Sequence, residues 1–113
     1  LTTLPLPTLA VFAKRLKQAR HARGLSQREL GDHIGLGKQV GSTRINRYEQ
    51  QKARCDMDTA ARIAKELGVP LAFLFAESDT LAEMILAFSK LTKTDQGKLL
   101  AELKKKIASK SDK

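Results

Sequence analysis

Residues 25–43 read LSQRELGDHIGLGKQVGST, and the fold turns on whether the glycine-rich second half is a nucleotide-holding loop or a joint between two helices. A phosphate-binding P-loop reads G-x-x-x-x-G-K-[ST], because its glycine amides wrap the phosphates, its lysine reaches the terminal ones and its hydroxyl holds Mg²⁺. Here Lys38 precedes Gly41 instead of following it. The preceding SQRELGDHI is polar, with apolar residues spaced for a helix and not for the buried strand that a P-loop needs. In LSQREL, Ser26 can cap the following amides, Glu29 three residues on can close a capping box, and Leu25 and Leu30 have the spacing of a hydrophobic staple. A helix is therefore expected from Gln27 to near Ile34, and a second, built on STRINRYEQ with Ile45 and Tyr48 inward, from about Ser42 to Gln50.

Working outward, Leu9, Phe12, Leu16 and Ala19 share one helical face, basic residues crowd the other, and Gly24 stands where a left-handed cap would stop the helix. That predicts a first helix over about 8–23. Asp56 can cap a fourth helix with Met57, Ala60, Ile63, Ala64 and Leu67 on its buried stripe, ended by Gly68. Pro70 suits the start of a short fifth helix, LAFLF. Thr80 and Glu83 form a second capping box that opens a sixth helix with Leu81, Met84, Ile85 and Phe88 inward. Thr92 and Asp95 resemble a weaker box ahead of a last helix along Leu99, Leu100, Leu103 and Ile107. The tail KKKIASKSDK is expected to fray. The expected architecture is all-α, a five-helix unit over 8–77 with a two-helix C-terminal appendage over 78–108 and flexible ends at 1–7 and 109–113.

With 113 residues the chain has room for one domain and an appendage, which points to a binding module. A single cysteine allows no disulfide within the chain, and there is no Cys/His cluster at metal spacing, so Cys55 reads as a small half-buried residue in a reducing cytoplasm. No metal and no cofactor are expected. His21 and His33 are isolated and read as surface residues. No nucleophile, base and oxyanion donor converge, so no catalytic residues are assigned. The apolar opening LTTLPLPTLAVF carries no basic residues ahead of it and is broken by prolines, so it does not read as a secretion signal, and no apolar run reaches the roughly 18 residues of a membrane span. Charge is the more informative feature. Residues 14–54 carry eleven Lys and Arg against three acids, residues 55–92 three against six, and residues 93–113 seven against three. A basic first half followed by an acidic middle suggests a polyanion on one face.

The run over residues 16–75, with RGLSQRELGDHIG, INRYE and ARIAKELGVPLAFLF within it, resembles the lambda-repressor-like (Cro-type, xenobiotic-response-element) helix-turn-helix family. The resemblance implies double-stranded DNA as partner, with the third helix read into the major groove. It implies that Gln27 binds a DNA phosphate, aided by Ser26 and Arg28 beside it, and that Gly31 is the small residue that lets the two helices approach. It places Ser42, Thr43, Asn46 and Arg47 nearest the bases, Arg44 toward bases or backbone, and Lys52 among the DNA-binding residues. It makes Arg20 and Glu49 an internal ion pair, and Leu30, Ile34, Ile45 and Tyr48 core.

The chain also departs from the family pattern. GLGKQVG is about four residues longer than the usual passage to the recognition helix. Either Val40 takes the buried place in the turn and residues 37–39 bulge, with Lys38 reaching a phosphate, or the extra residues extend the third helix toward its N-terminus and shift the reading residues by a turn. Gln51 and Cys55 replace the glycine and proline common after that helix. The apolar faces of the last two helices must pack either on the chain's own fourth and fifth helices or on a second copy about a twofold axis, and the homodimer is the expectation; in the alternative of an antitoxin-like protein, those helices clasp a partner protein.

Overall fold

A computed structural model describes residues 7–111 of the chain, the side chains of Lys38 and Ser111 excepted. Every regular element among these residues is helical: α1 (Thr8–Arg23), α2 (Gln27–His33), α3 (Lys38–Glu49), α4 (Met57–Leu67), a 3₁₀ helix (Leu71–Phe75), α5 (Asp79–Ser89) and α6 (Lys93–Ser111). The expected all-α architecture is what is found. The apolar opening and the ends of the chain, residues 1–6 and 112–113, lie outside the described residues.

One core serves the first six helical elements, Ala82 of α5 included. Phe12, Leu16 and Ala19 of α1 meet Leu30, Ile34, Ile45 and Tyr48 from the helix pair, Ile63, Ala64 and Leu67 from α4, and Phe73 and Leu74 from the 3₁₀ turn. The capping box at the head of α2 forms as read: the Glu29 amide donates to Ser26 Oγ at 3.0 Å and the Ser26 amide to Glu29 Oε1 at 2.9 Å. The Ser26 amide first, and then the Ser26 hydroxyl, hold the Glu29 carboxyl below its ordinary range.

The passage 34–37 corrects the expected start of α3 at Ser42. The Leu36 amide donates to Gly31 O and the Gly35 amide to Asp32 O, a Schellman closure, and Leu36 turns in against the core as that closure favours. Gly37, at φ +81° and ψ 155°, has a backbone only glycine adopts readily, and α3 starts at the next residue. Leu36, not Val40, takes the half-buried place in the turn, so no bulge forms over 37–39 and the extra residues lengthen α3 by a turn. Val40 is 63% exposed.

Three further readings are corrected. Met57 is 83% exposed, because the first side chain of a helix points back past the helix end; the buried residues of α4 begin at Thr59 and its apolar stripe at Ala60. The cap of α5 is Ser78, whose Oγ accepts from the Leu81 amide, so the helix opens two residues before the Thr80 box. Its inward face is then Ala82, Ile85 and Leu86, while Leu81 and Met84 look outward. Arg15, expected on the solvated basic face of α1, is buried: its Nε donates to Ala76 O and its guanidinium to Gln18 Oε1 and Asp79 Oδ1, each at 2.9 Å. Together with Lys14 it holds the Asp79 carboxyl below its usual range and fixes the start of α5 on α1.

The Thr92 cap on the Asp95 amide forms as read, and α6 continues through the basic tail to Ser111. Gln96 Nε2 donates to Phe88 O at 2.9 Å, but residues 101–110 are all exposed. The radius of gyration, 16.9 Å, exceeds the roughly 13–14 Å of a compact chain of this length. The projecting α6 accounts for it.

Candidate nucleic-acid interface

Gly31 and Gly41 face each other where α2 crosses α3. A methyl built on Gly31 would lie 2.4 Å from the Gly41 Cα, and one built on Gly41 would lie 2.6 Å from the Gly31 Cα. The helices therefore touch backbone to backbone. The small residue at 31 was expected; its partner, Gly41, emerges only once α3 is read from Lys38. With Gly41, Ile45, Tyr48 and Glu49 turned inward, the 3.6-residue period sends Gln39, Thr43, Asn46 and Arg47 out to solvent.

A buried ion pair fixes α3 from behind. Arg20 Nε donates to Glu49 Oε2 at 2.6 Å and Arg20 Nη2 to Glu49 Oε1 at 3.0 Å, while Nη1 donates to Leu25 O. Glu49, the one acid of α3, is thereby withdrawn, so the outward face of that helix carries Arg44 and Arg47 and no negative side chain.

The other candidate residues divide by exposure and by bonding. Ser26 is exposed but occupied as the α2 cap. Gln27 is half-buried, and its Nε2 donates to Glu49 Oε1 at 3.1 Å and to Asn46 Oδ1 at 3.3 Å, so it links the head of α2 to the outward face of α3. Arg28 is exposed beside it. Thr43 is exposed and gives its hydroxyl to Gln39 O, while Ser42 is half-buried on the flank. Arg44, Asn46, Arg47 and Lys52 are exposed, and Arg47 Nη2 donates to Lys52 O at 3.2 Å, joining the end of α3 to the following loop. The side chain of Lys38 lies outside the described residues. Thr43, Asn46 and Arg47 thus share one surface with Gln27, Arg44 lies at its edge, and Ser42 turns partly away. Gln39 and Val40, exposed on the first turn of α3, were not among the residues expected there. The signal was Leu36, an apolar residue placed to close the turn, followed by a glycine able to cap a helix.

Burial pushes the Cys55 thiol up to about 11, which keeps it protonated at neutral pH, and raises Tyr48. His21 and His33 are exposed, the latter with its Nδ1 2.7 Å from Glu66 Oε1. Among the described residues no three His, Cys, Asp or Glu side chains group where a metal could sit, and no helix is long and apolar enough to cross a membrane.

Comparison with known proteins agrees with this geometry. Residues 16–74, more than half of the chain, match the family described as Helix-turn-helix. A stretch of 64 residues is 34% identical to the SPbeta prophage-derived uncharacterized HTH-type transcriptional regulator YonR of Bacillus subtilis (strain 168), covering 57% of this chain and 56% of that protein. Over 70 residues the chain is 31% identical to the cryptic phage CTXphi transcriptional repressor RstR of Vibrio cholerae, covering 62% and 60%. The chain thus spans little more than half the length of these curated relatives. The crystal structure of the transcriptional regulator BswR superposes with a TM-score of 0.80 at 36% identity over 86% of this chain and 96% of that one, so the likeness extends beyond the segment matched by the family.

Proposed function

Because the chain belongs to the lambda-repressor-like (Cro-type) helix-turn-helix family, a non-enzymatic family of DNA-binding transcriptional regulators, we propose that it regulates transcription by binding specific sequences in double-stranded DNA. The observation that carries this reading is the outward face of α3, polar and cationic, held by the Gly31–Gly41 crossing and the Arg20–Glu49 pair. Asn46, Thr43 and Arg47 offer the donors and acceptors that major-groove base edges match. Arg28 and Lys52 flank them toward the phosphates, and Lys38 opens the same helix. Residues 8–77 form the DNA-binding unit in this reading. Such a protein works in the cytoplasm, where its DNA is.

The same proposal makes residues 78–108 a homodimer interface. Leu81, Met84, Leu91, Leu100 and Leu103 are each about two-fifths to one-half exposed on α5, α6 and the joint between them, more apolar surface than a small monomer leaves in water. A twofold dimer would set two α3 helices about 34–36 Å apart, one DNA turn, and demand a palindromic site. The antitoxin-like reading uses that same surface for a different protein, and a purified chain that stays monomeric would favour it.

The test is a titration of the full chain against duplexes selected from a random pool, repeated at rising salt. Neutralised phosphates release counterions, so log K should fall linearly with log salt, by about 0.9 per phosphate. Asn46→Ala should cost about 1–3 kcal/mol at the selected site and relax its base preference, whereas Arg28→Ala should weaken all sequences alike. A salt-independent constant, or a pool from which no sequence is enriched, would overturn the proposal.

A further inference from the structure

Val40 is the only large apolar side chain of α2 and α3 that stands exposed among the described residues, at 63%. It is the third residue of α3, on the same helical face as Thr43, Arg44 and Arg47, which follow it at three, four and seven residues. Its neighbour Gln39 and all three of those residues are polar or cationic and exposed. Among the described residues nothing needs an apolar group here. Leu36 already closes the turn, and the inward side of the helix is filled by Gly41, Ile45 and Tyr48.

We infer that Val40 is a specificity-determining residue that reads the C5-methyl group of a thymine. The inference rests on the reading of α3 as the recognition helix and deepens it by naming a base. The first turns of such a helix meet the base edges. On those edges the thymine methyl is the one apolar substituent; cytosine carries only a hydrogen at that place, and the rest of the pattern is hydrogen-bond donors and acceptors. A valine in a helix is held almost entirely in one rotamer, so its two methyl groups are set before DNA arrives and lose little freedom when they meet it. Opposite guanine or cytosine the same side chain would cover polar groups and leave them without partners. Val40 therefore favours thymine twice over, by packing on its methyl and by penalising its competitors, while Thr43, Asn46 and Arg47 make the polar interactions around it.

The experiment uses the full chain and the duplex it selects from a random pool. Each thymine of that duplex is replaced singly by deoxyuridine, which removes the methyl and nothing else. For the wild-type chain one thymine in each half-site should be sensitive, with affinity falling about three- to tenfold when one buried methyl is removed. For Val40→Ala the same replacement should change nothing, and selection with this variant should lose its preference at that position alone. The variant should fold, since position 40 is exposed and alanine is the better helix former. Wild-type binding indifferent to every deoxyuridine, or equally sensitive in Val40→Ala, would overturn the inference and leave the DNA-binding reading intact. Failure of the wild-type chain to enrich any sequence would overturn that reading and this inference with it.

Discussion

Helices α2 and α3 meet so closely that one methyl group has no room between them, whereas α6 runs its last two turns wholly in solvent. The first region is held by the chain's own backbone, a buried ion pair and a shared core; the second hangs on a cap and the bond from Gln96 to Phe88. Of the large apolar side chains of α6 only Leu99 is half-buried, and a helix with so little of its apolar face covered is marginal in water. The difference teaches where each region draws its stability: the helix-turn-helix from within the chain, α6 from whatever covers Leu100 and Leu103.

The largest effect that can test this contrast is removal of Glu49. Its side chain is 1% exposed and that of Arg20 is 10% exposed, so Glu49→Ala strands a guanidinium in the interior and should cost about 3–5 kcal/mol. The melting temperature should fall by about 12 °C or more. Thermal melts of the two proteins decide it, and coincident curves would show that α3 is not held from behind by this pair. Gly41→Ala comes next. The three atoms nearest the added methyl are all Gly31 backbone, which cannot swing aside, so the cost should reach the upper end of overpacking, about 3 kcal/mol, and the tilt of α3 should be lost with it. A variant that melts and binds DNA like wild type would mean that the crossing can widen freely.

On the other side of the contrast, Leu100→Glu combined with Leu103→Glu should leave the core melt almost untouched, within about 0.5 kcal/mol, because both side chains are exposed in the single chain. Light scattering at tens of micromolar should show the wild type as a dimer and the double variant as a monomer. A wild type already monomeric would sink the dimer. A double variant that loses core stability would show that α6 folds back on its own chain.

The ends of α1, α2 and the 3₁₀ helix were legible because capping chemistry and period are local: a serine with a glutamate three residues on, a glycine after a run of arginines, a proline ahead of LAFLF. The ion pair was legible only through the family resemblance, since 29 residues separate its partners. What failed was chosen between local signals by tertiary packing. Leu36 and Val40 are both apolar and both follow a glycine in the near sequence, and only the core and the Schellman closure decide which turns in. Ser78 and Thr80 are both good caps, and Arg15 on Asp79 accompanies the choice of the earlier one. Arg15 itself could not be told from its exposed neighbour Lys14 without the carbonyl of Ala76, far along the chain.

The smallest effects sharpen the contrast best, because two changes of similar size fall on its two sides. Gln51 closes α3 in the left-handed region at φ +60°, with the Lys52 amide returning to Arg47 O, a place where glycine has no steric penalty. Gln51→Gly should therefore stabilise by up to about 1 kcal/mol, less than the full strain because glycine also loses more freedom on folding. Gly97 lies inside α6 with nothing within 4 Å of the methyl that alanine would add, so Gly97→Ala should favour the helix by about 0.8–1 kcal/mol. The first gain belongs to the core and should raise its melting temperature by about 4–8 °C. The second belongs to a helix that the core does not touch, so it should appear as added helicity and a tighter dimer while the core of the dissociated chain melts where it did before. Dilute-solution melts of both variants, below the dimer's dissociation, separate the two readings: an equal rise in each would mean that α6 unfolds together with the helix-turn-helix, and the two regions would then be one cooperative unit.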